Sequence, residues 1–281
     1  MSVSRRLGPL PVHVAIVALV LLWTIPTLAT IVNSFRPPIA IASSGWWTAL
    51  VPPFNFTIDN YQRVLTTNNM GPSFLNSLTI TIPATLVPIA VAAFAAYAFA
   101  WMSFPFRNTL FLFLVGLLVV PLQITLVPVL QVYTSLGLNG TFPAIWLAHT
   151  GYGLPFAIYL LRNFFGALPK ELFEASALDG AGTLTTFFRL VLPLSVPALA
   201  SLAIFQFLWV WNDLLVALIY LGGTQDVAPM TVTMSGLVNS LGQDWQRLTA
   251  AAFISAFLPL VVFIGLQRYF TSGILAGSVK G

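Results

Sequence analysis

Residues 174–193 read EASALDGAGTLTTFFRLVLP, a short polar stretch between two long apolar segments. Asp179-Gly180-Ala181 at its centre contains a typical helix stop, because glycine accepts the left-handed backbone that satisfies terminal helix carbonyls. Upstream, Pro169 and Glu171 are typical of a helix start, where a missing N–H costs nothing and an acidic side chain meets the positive end of the helix dipole. The sequence therefore predicts a helix of about ten residues, roughly 15 Å long, that ends at Gly180.

The composition around this stretch is that of a membrane protein. Only 6% of the 281 residues are charged, 58% are hydrophobic, and the mean hydropathy is +0.92. Soluble domains carry about one quarter charged residues. The excess of 11 Lys+Arg over 7 Asp+Glu is scattered, which favours loop charge over nucleic-acid binding. With no cysteine and two histidines, we predict neither disulfides nor a metal site.

The apolar segments predict six membrane-spanning helices. A hydrocarbon core about 30 Å thick requires roughly 20 apolar residues as helix. The first segment resembles a secretory signal, but its apolar run is too long and lacks a clear cleavage site, so we predict an uncleaved span. The predicted fold class is an all-α integral membrane protein, with residues 1–281 as one domain. The spans are 12–33, 74–101, 109–131, 142–162, 193–221 and 249–270, and the long loop is 163–192.

The distribution of basic residues predicts the orientation. Six spans put both termini on one side, and cytoplasmic loops carry an excess of Lys and Arg. With the N-terminus inside, the inner segments hold eight basic residues: Arg5, Arg6, Arg107, Arg162, Lys170, Arg189, Arg268 and Lys280. The outer segments hold three: Arg36, Arg63 and Arg247. We therefore expect both termini, and loop 163–192, in the cytoplasm.

The spacing Glu-Ala-Ser-x-x-Asp-Gly-Ala followed by Leu-x-Leu-Pro resembles the EAA motif of ABC import permeases. In that family the motif forms a cytoplasmic coupling loop that docks the membrane subunit onto a separate ATPase. Pro121-Leu122-Gln123, Trp211-Asn212-Asp213 and Gln267-Arg268-Tyr269-Phe270 extend the resemblance to the smaller membrane subunit of maltose-type importers, over nearly the whole chain. Ser176 is one departure, because the family more often has alanine there.

The resemblance implies a type I ABC importer permease fold in a bacterial cytoplasmic membrane. It implies four kinds of partner: a homologous permease, two ATPase subunits, an extracytoplasmic solute-binding protein and membrane lipid. ATP and Mg would be bound by the ATPase subunits, and no cofactor by this chain. The solute would be a carbohydrate, and the similarity around 205–220 points to an oligosaccharide or α-glucoside. The residues assigned to coupling are Glu174, Ala175, Ser176, Asp179, Gly180, Ala181, Leu192 and Pro193.

The chain itself lacks the signature of an ATPase. A P-loop requires Gly-x4-Gly-Lys-Ser/Thr, so that backbone amides and a lysine hold the phosphates. The two lysines, Lys170 and Lys280, do not follow a glycine. The sequence also contains no nucleophile elbow of the serine-hydrolase type. We predict no catalytic residue and no enzymatic activity of its own.

Polar residues inside the spans are candidates for a translocation path. Gln123 and Gln131 lie eight residues apart on a span in which Pro121 and Pro128 predict a kink. Gln206 and Asp213 lie seven apart on another span, so each pair shares a helix face. A polar stripe of this kind either faces the path, bonds neighbouring helices, or caps a span near its outer end. The lone His149 is more typical of a satisfied polar contact than of a proton relay.

The outer loop at 222–248 mixes small polar and apolar residues, which suits contact with a protein partner. We assign Gly236 and Asn239 as candidate contacts to the solute-binding protein. Three alternatives remain: an ABC permease for a non-sugar solute, a secondary transporter or channel, and a membrane enzyme. The last two need ionisable relays, discontinuous helices or clustered acids and histidines, and Asp213 alone is thin support for them.

Overall fold

The computed structural model describes residues 10–237 and 244–278, with side chains through 268. Within these ranges the regular structure is helical and contains no strand. Short 3₁₀ segments occur at Trp46–Leu50 and Leu117–Val119, and a π-helical segment occurs at Phe187–Val191. The α-helices are α1 (Leu10–Ser34), α2 (Pro38–Ser43), α3 (Asp59–Thr66), α4 (Met70–Trp101), α5 (Arg107–Gly116), α6 (Leu122–Ser135), α7 (Phe142–Gly166), α8 (Lys170–Leu178), α9 (Thr183–Thr186), α10 (Leu192–Leu194), α11 (Val196–Trp211), α12 (Leu215–Leu221), α13 (Met230–Ser235) and α14 (Trp245–Ser278).

Four described helices are long and apolar enough to cross a membrane: α1, α4, α7 and the 245–268 part of α14. Two further segments pass the same test only as bent pairs of helices, so the described residues contain up to six spans. The predicted span at 109–131 overlaps the first pair, Arg107–Val119 with Leu122–Ser135, and the predicted span at 193–221 overlaps the second, Thr183–Leu194 with Val196–Trp211. The sequence predicted one span at each position, whereas the structure divides each of them into shorter helices.

The first break lies between α5 and α6, whose segments meet at an angle of 102°. Val120 is extended, with ψ of 116°, because the proline that follows disfavours helical backbone at the preceding residue. Pro121 then leads into α6. The prolines predicted a kink, and the structure has a complete change of direction.

The second divided span has two interruptions. The segments Thr183–Leu194 and Val196–Trp211 meet at 74°. A second interruption at Asn212–Leu214 separates α11 from α12. Non-helical backbone at membrane depth is tolerated only where it is buried in protein or lines a cavity. We therefore expect each of these interruptions to lie inside the bundle or beside a cavity.

α4 remains continuous through two internal prolines, for a reason that lies on other helices. Pro83 and Pro88 have no N–H, so the carbonyls of Thr79 and Ala84 lose their helical donors. Trp146 Nε1 donates to the Thr79 carbonyl at 2.9 Å. Gln206 Nε2 donates to the Ala84 carbonyl at 3.1 Å. Both carbonyls freed by proline are thus satisfied by side chains from neighbouring helices.

The chain divides into two compact units, Met1–Gly71 with Thr233–Phe257, and Pro72–Val232 with Leu258–Gly281. The second unit contains two clusters of buried side chains contributed by α4, α7 and α11, with α6 and α12 adding to one of them. Many of the buried positions are alanine, which lets helix backbones approach closely where lipid removes the hydrophobic driving force. They include Ala84, Ala92, Ala96, Ala144, Ala148, Ala157 and Ala198.

Candidate functional site

The loop at 163–192 contains the short helix that the sequence predicted. α8 spans Lys170–Leu178, and Gly180 follows it with φ of +73°. The Gly180 N–H bonds the Ala177 carbonyl at 3.0 Å, and the Ala181 N–H bonds the Ser176 carbonyl at 3.0 Å. A side chain at Gly180 would be strained, because L-residues rarely adopt this backbone. The left-handed glycine therefore fixes where α8 ends.

One side of α8 packs against α4 and contacts α9. The Phe173 ring stacks on Trp101 with centroids 3.6 Å apart. Trp101 is held in turn by its Nε1, which donates to the Phe165 carbonyl at 2.8 Å. The hydroxyl of Ser176 bonds that of Thr186 at 2.8 Å. The serine that departs from the usual family alanine therefore ties α8 to α9.

The other side of α8 is exposed. Glu174 and Ala175 lie on the surface, and the side chain of Glu174 pairs with Lys170 at 3.1 Å. Leu178 is 89% exposed, which is unusual for a leucine at the end of a helix. Asp179 and Gly180 continue this surface. An exposed i,i+4 ion pair contributes only about 0.3–0.5 kcal/mol, so Glu174 is available to an external cation.

Leu192 and Pro193 lie at the start of the bent span. They follow the π-helical segment Phe187–Val191 and form α10 with Leu194. Pro193 cannot donate to the carbonyl four residues earlier, so a wider turn and a change of direction near this residue are expected. Phe187 and Val191 are buried in the same cluster as Phe165. The Leu-Pro of the motif thus lies at the bend, with Pro193 exposed, and its role in coupling stays a prediction.

A partly open cavity of about 580 Å³ lies between the break that precedes α6 and the interruption that separates α11 from α12. Its volume falls within the usual range of small-molecule sites. The cavity is lined by the backbone break before α6, the start of α6, the middle of α7 and the break between α11 and α12. The lining residues are Leu117, Leu118, Val120, Leu122, Gln123, Thr125, Gly151, Tyr152, Pro155, Trp209, Asp213, Leu215 and Val216.

Asp213 is the acidic residue of this lining, and it also caps α12. The Val216 N–H donates to its Oδ1 at 3.2 Å, and the Ala217 N–H donates to its Oδ2 at 2.9 Å. His149 Nε2 lies 3.6 Å from Oδ2, just beyond hydrogen-bond distance. The alternatives of path residue and cap are therefore compatible, because one carboxylate both lines the cavity and caps α12. The cap lies at an interruption within the predicted span.

Hydroxyl groups beside the cavity were not singled out by sequence reasoning. Thr125 donates to the Tyr152 hydroxyl at 3.0 Å, and that hydroxyl lies 2.8 Å from the Tyr220 hydroxyl. Tyr220 also donates to the Leu126 carbonyl at 3.4 Å. The available signal was tyrosine within apolar spans, since a buried Tyr hydroxyl requires a partner. Trp209, whose ring meets His149 edge-on with ring centroids 5.1 Å apart, was not singled out either.

The other two path candidates lie elsewhere. Gln206 is buried between helices, with its amide on the Ala84 carbonyl and over Gly153, where a Cβ would come within 2.8 Å of it. Gln206 does not line the cavity, and its geometry is that of an interhelical hydrogen bond. Gln131 lies exposed on α6, eight residues beyond Gln123, and is also absent from the lining.

The outer loop after α12 is partly attached to the second unit rather than fully in water. Asn76 Nδ2 donates to the Asp226 and Ala228 carbonyls at 3.0 and 3.2 Å. Thr231 Oγ1 donates to the backbone carbonyl of Asp213 at 2.6 Å, so the loop reaches the break beside the cavity. Gly236 forms a turn after α13, and Asn239 lies outside the described residues.

Comparison with known proteins identifies the family. The model of the binding-protein-dependent transport system inner membrane component matches residues 88–275, which include α8, its motif and both breaks. The chain belongs to this family. It is therefore an ABC importer permease and a multi-pass membrane protein, and the resemblance inferred from the EAA-like loop is confirmed.

Two curated relatives align along nearly the full length of this permease. The osmoprotective compounds uptake permease protein GgtD of Synechocystis is 62% identical over 96% of this chain and 92% of its own length. The alpha-glucoside transport system permease protein AglG of Rhizobium meliloti is 40% identical over the whole of both chains.

Solved structures share the fold of this permease. A subunit of a bacterial ABC transporter that imports the acidic polysaccharide alginate superposes with a TM-score of 0.81, at 20% identity, over 96% of this chain and 99% of that one. A chain from the alginate transporter in complex with a pentasaccharide-bound periplasmic protein gives 0.69, at 14% identity, over 95% and 96%. The predicted all-α fold of type I importer permeases is therefore confirmed.

Proposed function

We propose that this permease forms half of the translocation pathway for a carbohydrate, of the oligosaccharide or α-glucoside class, and that separate subunits supply the ATP hydrolysis. The observation that carries the proposal is the cavity at the two helix breaks. It combines an aromatic ring (Trp209), a carboxylate (Asp213), an amide (Gln123) and hydroxyls (Thr125 and Tyr152). Sugars offer an apolar ring face and many hydroxyls, and this set of groups matches both.

The relatives support the same solute class. One is named for osmoprotective compounds and the other for α-glucosides. A neutral α-glucosidic solute satisfies both names. Gln123 and Asp213 are the path residues of this proposal, and Gln206 and Gln131 are left out because they lie off the cavity.

Energy would reach the cavity through α8. The exposed Glu174 and Leu178 provide a polar and an apolar contact for a groove of an ATPase subunit, and Phe173 connects α8 to Trp101 of α4. A carboxylate can pair with an arginine of such a partner more strongly than with its own exposed lysine. ATP and Mg would be bound by two ATPase subunits, and this chain would hold no cofactor and catalyse no reaction.

The remaining partners follow from the same assembly. A homologous permease would complete the pathway, and an extracytoplasmic solute-binding protein would deliver the solute to the outer loop near Gly236 and Asn239. The hydrogen bond from Thr231 to Asp213 gives that loop a direct connection to the cavity. Both termini and α8 would face the cytoplasm.

Uptake by the complete importer in proteoliposomes tests the solute class. Labelled α-glucosidic disaccharides should be accumulated in an ATP-dependent manner, whereas glycine betaine, a non-sugar osmoprotectant, and leucine should not. The variant Gln123→Leu should reduce sugar uptake, because it removes both hydrogen-bonding groups of the amide from the cavity. The matched variant Gln131→Leu, on the same helix and off the cavity, should transport normally. Uptake of betaine but not of sugar would overturn the proposed solute class.

A further inference from the structure

The loop that follows α1 displays apolar side chains and no charge. Residues 37–58, called here the uncharged loop, contain no Asp, Glu, Lys or Arg. A stretch of this length in a soluble domain would carry about five charged residues. Its large apolar side chains are nevertheless exposed: Ile39 is 83% exposed, Trp47 62% and Phe54 64%.

Arg36, the charged residue that precedes this loop, is turned inward. Its side chain is buried, and its Nη1 donates to Asn33 Oδ1 at 3.0 Å. Its Nη2 donates to the Ala40 carbonyl at 2.7 Å and to the Ser44 hydroxyl at 2.6 Å. The guanidinium therefore holds the uncharged loop together from inside. Its charge is therefore absent from the surface of the loop, and the exposed Asp59 begins α3 just beyond the other end of the loop.

Hydrogen bonds close the uncharged loop against the end of α1. The Thr57 N–H donates to the Phe35 carbonyl at 2.7 Å. Asn60 Nδ2 donates to the carbonyls of Ser34 and Arg36, each at 2.9 Å. Because α1 is long enough to span a bilayer and ends at Ser34, the loop begins and ends where the chain leaves the hydrocarbon core.

Trp47 has a fixed place in this surface. Its ring lies directly over Gly45, where a Cβ would collide with the ring. Trp46 packs against it edge-on, with ring centroids 6.2 Å apart. Tryptophan is enriched at the depth of lipid headgroups, because one side of the indole is apolar and its N–H remains hydrated.

We propose that the uncharged loop is a monotopic membrane contact, seated in the headgroup and upper acyl region of the leaflet at which α1 ends. Three observations carry this inference: exposed apolar side chains without charge, an arginine turned inward, and closure against the end of a spanning helix. Lipid is favoured over a protein partner because the loop has no charged group to specify one, and its position at the helix end places it at the bilayer surface. The contact would fix the depth and the outer end of α1.

Spin-label accessibility in the assembled transporter tests this assignment. The chain contains no cysteine, so single labels can be introduced by Trp47→Cys and Phe54→Cys, with cysteine-free partner subunits in lipid nanodiscs. The matched control is Gln62→Cys, on the exposed side of α3 a few residues beyond the loop. Collision with apolar oxygen and with a water-soluble nickel chelate is measured at each site. Oxygen should dominate at 47 and 54, and the chelate should dominate at 62.

Each other outcome overturns the proposal. If the chelate reaches 47 and 54 as readily as 62, the loop lies in water. If both reagents are excluded at 47 and 54, protein covers the loop in the resting transporter. If accessibility falls only when the loaded solute-binding protein is added, the loop is a docking surface for that protein. Label mobility similar to that at Gln62→Cys, together with normal uptake, shows that the labelled variants are folded.

Discussion

The hydrogen bond from Gln206 to α4 should make a measurable contribution to the free energy of unfolding, and a backbone donor restored in α4 should be able to replace it. Gln206→Met keeps the length and unbranched shape of the side chain but removes its N–H donors. The Ala84 carbonyl then has no donor, because Pro88 lacks the N–H that would serve it. An unsatisfied buried polar group costs about 1–3 kcal/mol, and interhelical hydrogen bonds in membranes contribute about 0.6–1.7 kcal/mol. We expect Gln206→Met to lower the free energy of unfolding by about 1.5 kcal/mol.

The proline provides the rescue. Pro88→Ala restores an N–H four residues after Ala84, so Gln206→Met should cost little in that background. The matched control is Pro83→Ala, which restores a donor to the Thr79 carbonyl that Trp146 already serves. Pro83→Ala should therefore not rescue Gln206→Met.

A double-mutant cycle on the permease in bicelles, with unfolding followed by tryptophan fluorescence, measures these energies. We expect a coupling of about 1 kcal/mol between positions 88 and 206, and none between 83 and 206. Additive effects at 88 and 206, or equal rescue by both alanines, would refute it. Uptake should fall no more than the folded fraction does, because Gln206 lies outside the cavity.

The remaining predictions concern coupling, the cavity and orientation. Glu174→Lys combined with Gly180→Val should leave ATP hydrolysis in the assembled importer but abolish most uptake. The first substitution reverses an exposed charge, and the second strains a left-handed backbone. Uptake at the normal rate in proteoliposomes would contradict the role of α8. Asp213→Ala should destabilise the permease by about 1–2 kcal/mol through loss of the cap, whereas Asp213→Asn should keep the stability and slow sugar uptake, and equal destabilisation by both would argue against the cap. In intact cells an impermeant thiol reagent should label Gln62→Cys and spare Ser176→Cys, and labelling of the latter from outside would reverse the proposed orientation.

Much of the fold followed from the sequence because it depends on local chemistry. Composition and segment length indicated apolar helices in a membrane, because a water-soluble chain of 281 residues carries far more charge and lacks apolar segments long enough to span a bilayer. The left-handed Gly180 and the helix before it followed from the helix-stop rule, and the family followed from motif spacing. The positions of Pro121 and Pro128 predicted a kink in their span. The angle between the two segments could not be predicted from the sequence, because proline removes a hydrogen-bond donor without specifying the direction in which the chain continues.

The candidate site was predicted only in part. Gln123 and Asp213 were chosen as polar residues in spans, and both line the cavity. Gln206 was chosen by the same rule and lies off the cavity, because a buried amide can equally satisfy a carbonyl on another helix. Tyr152 and Trp209 were passed over, since an aromatic residue in a membrane span most often faces lipid or fills the bundle.

The sequence by itself determined the membrane environment, the helical class, the family and the short helix α8, because these depend on composition, on single residues with restricted backbones, and on spacing along the chain. The tertiary structure alone decided what each polar group does. Gln206 serves a carbonyl that Pro88 leaves unpaired, Asp213 caps a broken span beside a cavity, and Arg36 is withdrawn beneath an uncharged loop. Hydrogen bonds act over about 3 Å in space. The partner of Gln206 lies on another helix, and the partners of Asp213 are available because the span is broken beside it. Spacing along the sequence specifies neither of these arrangements.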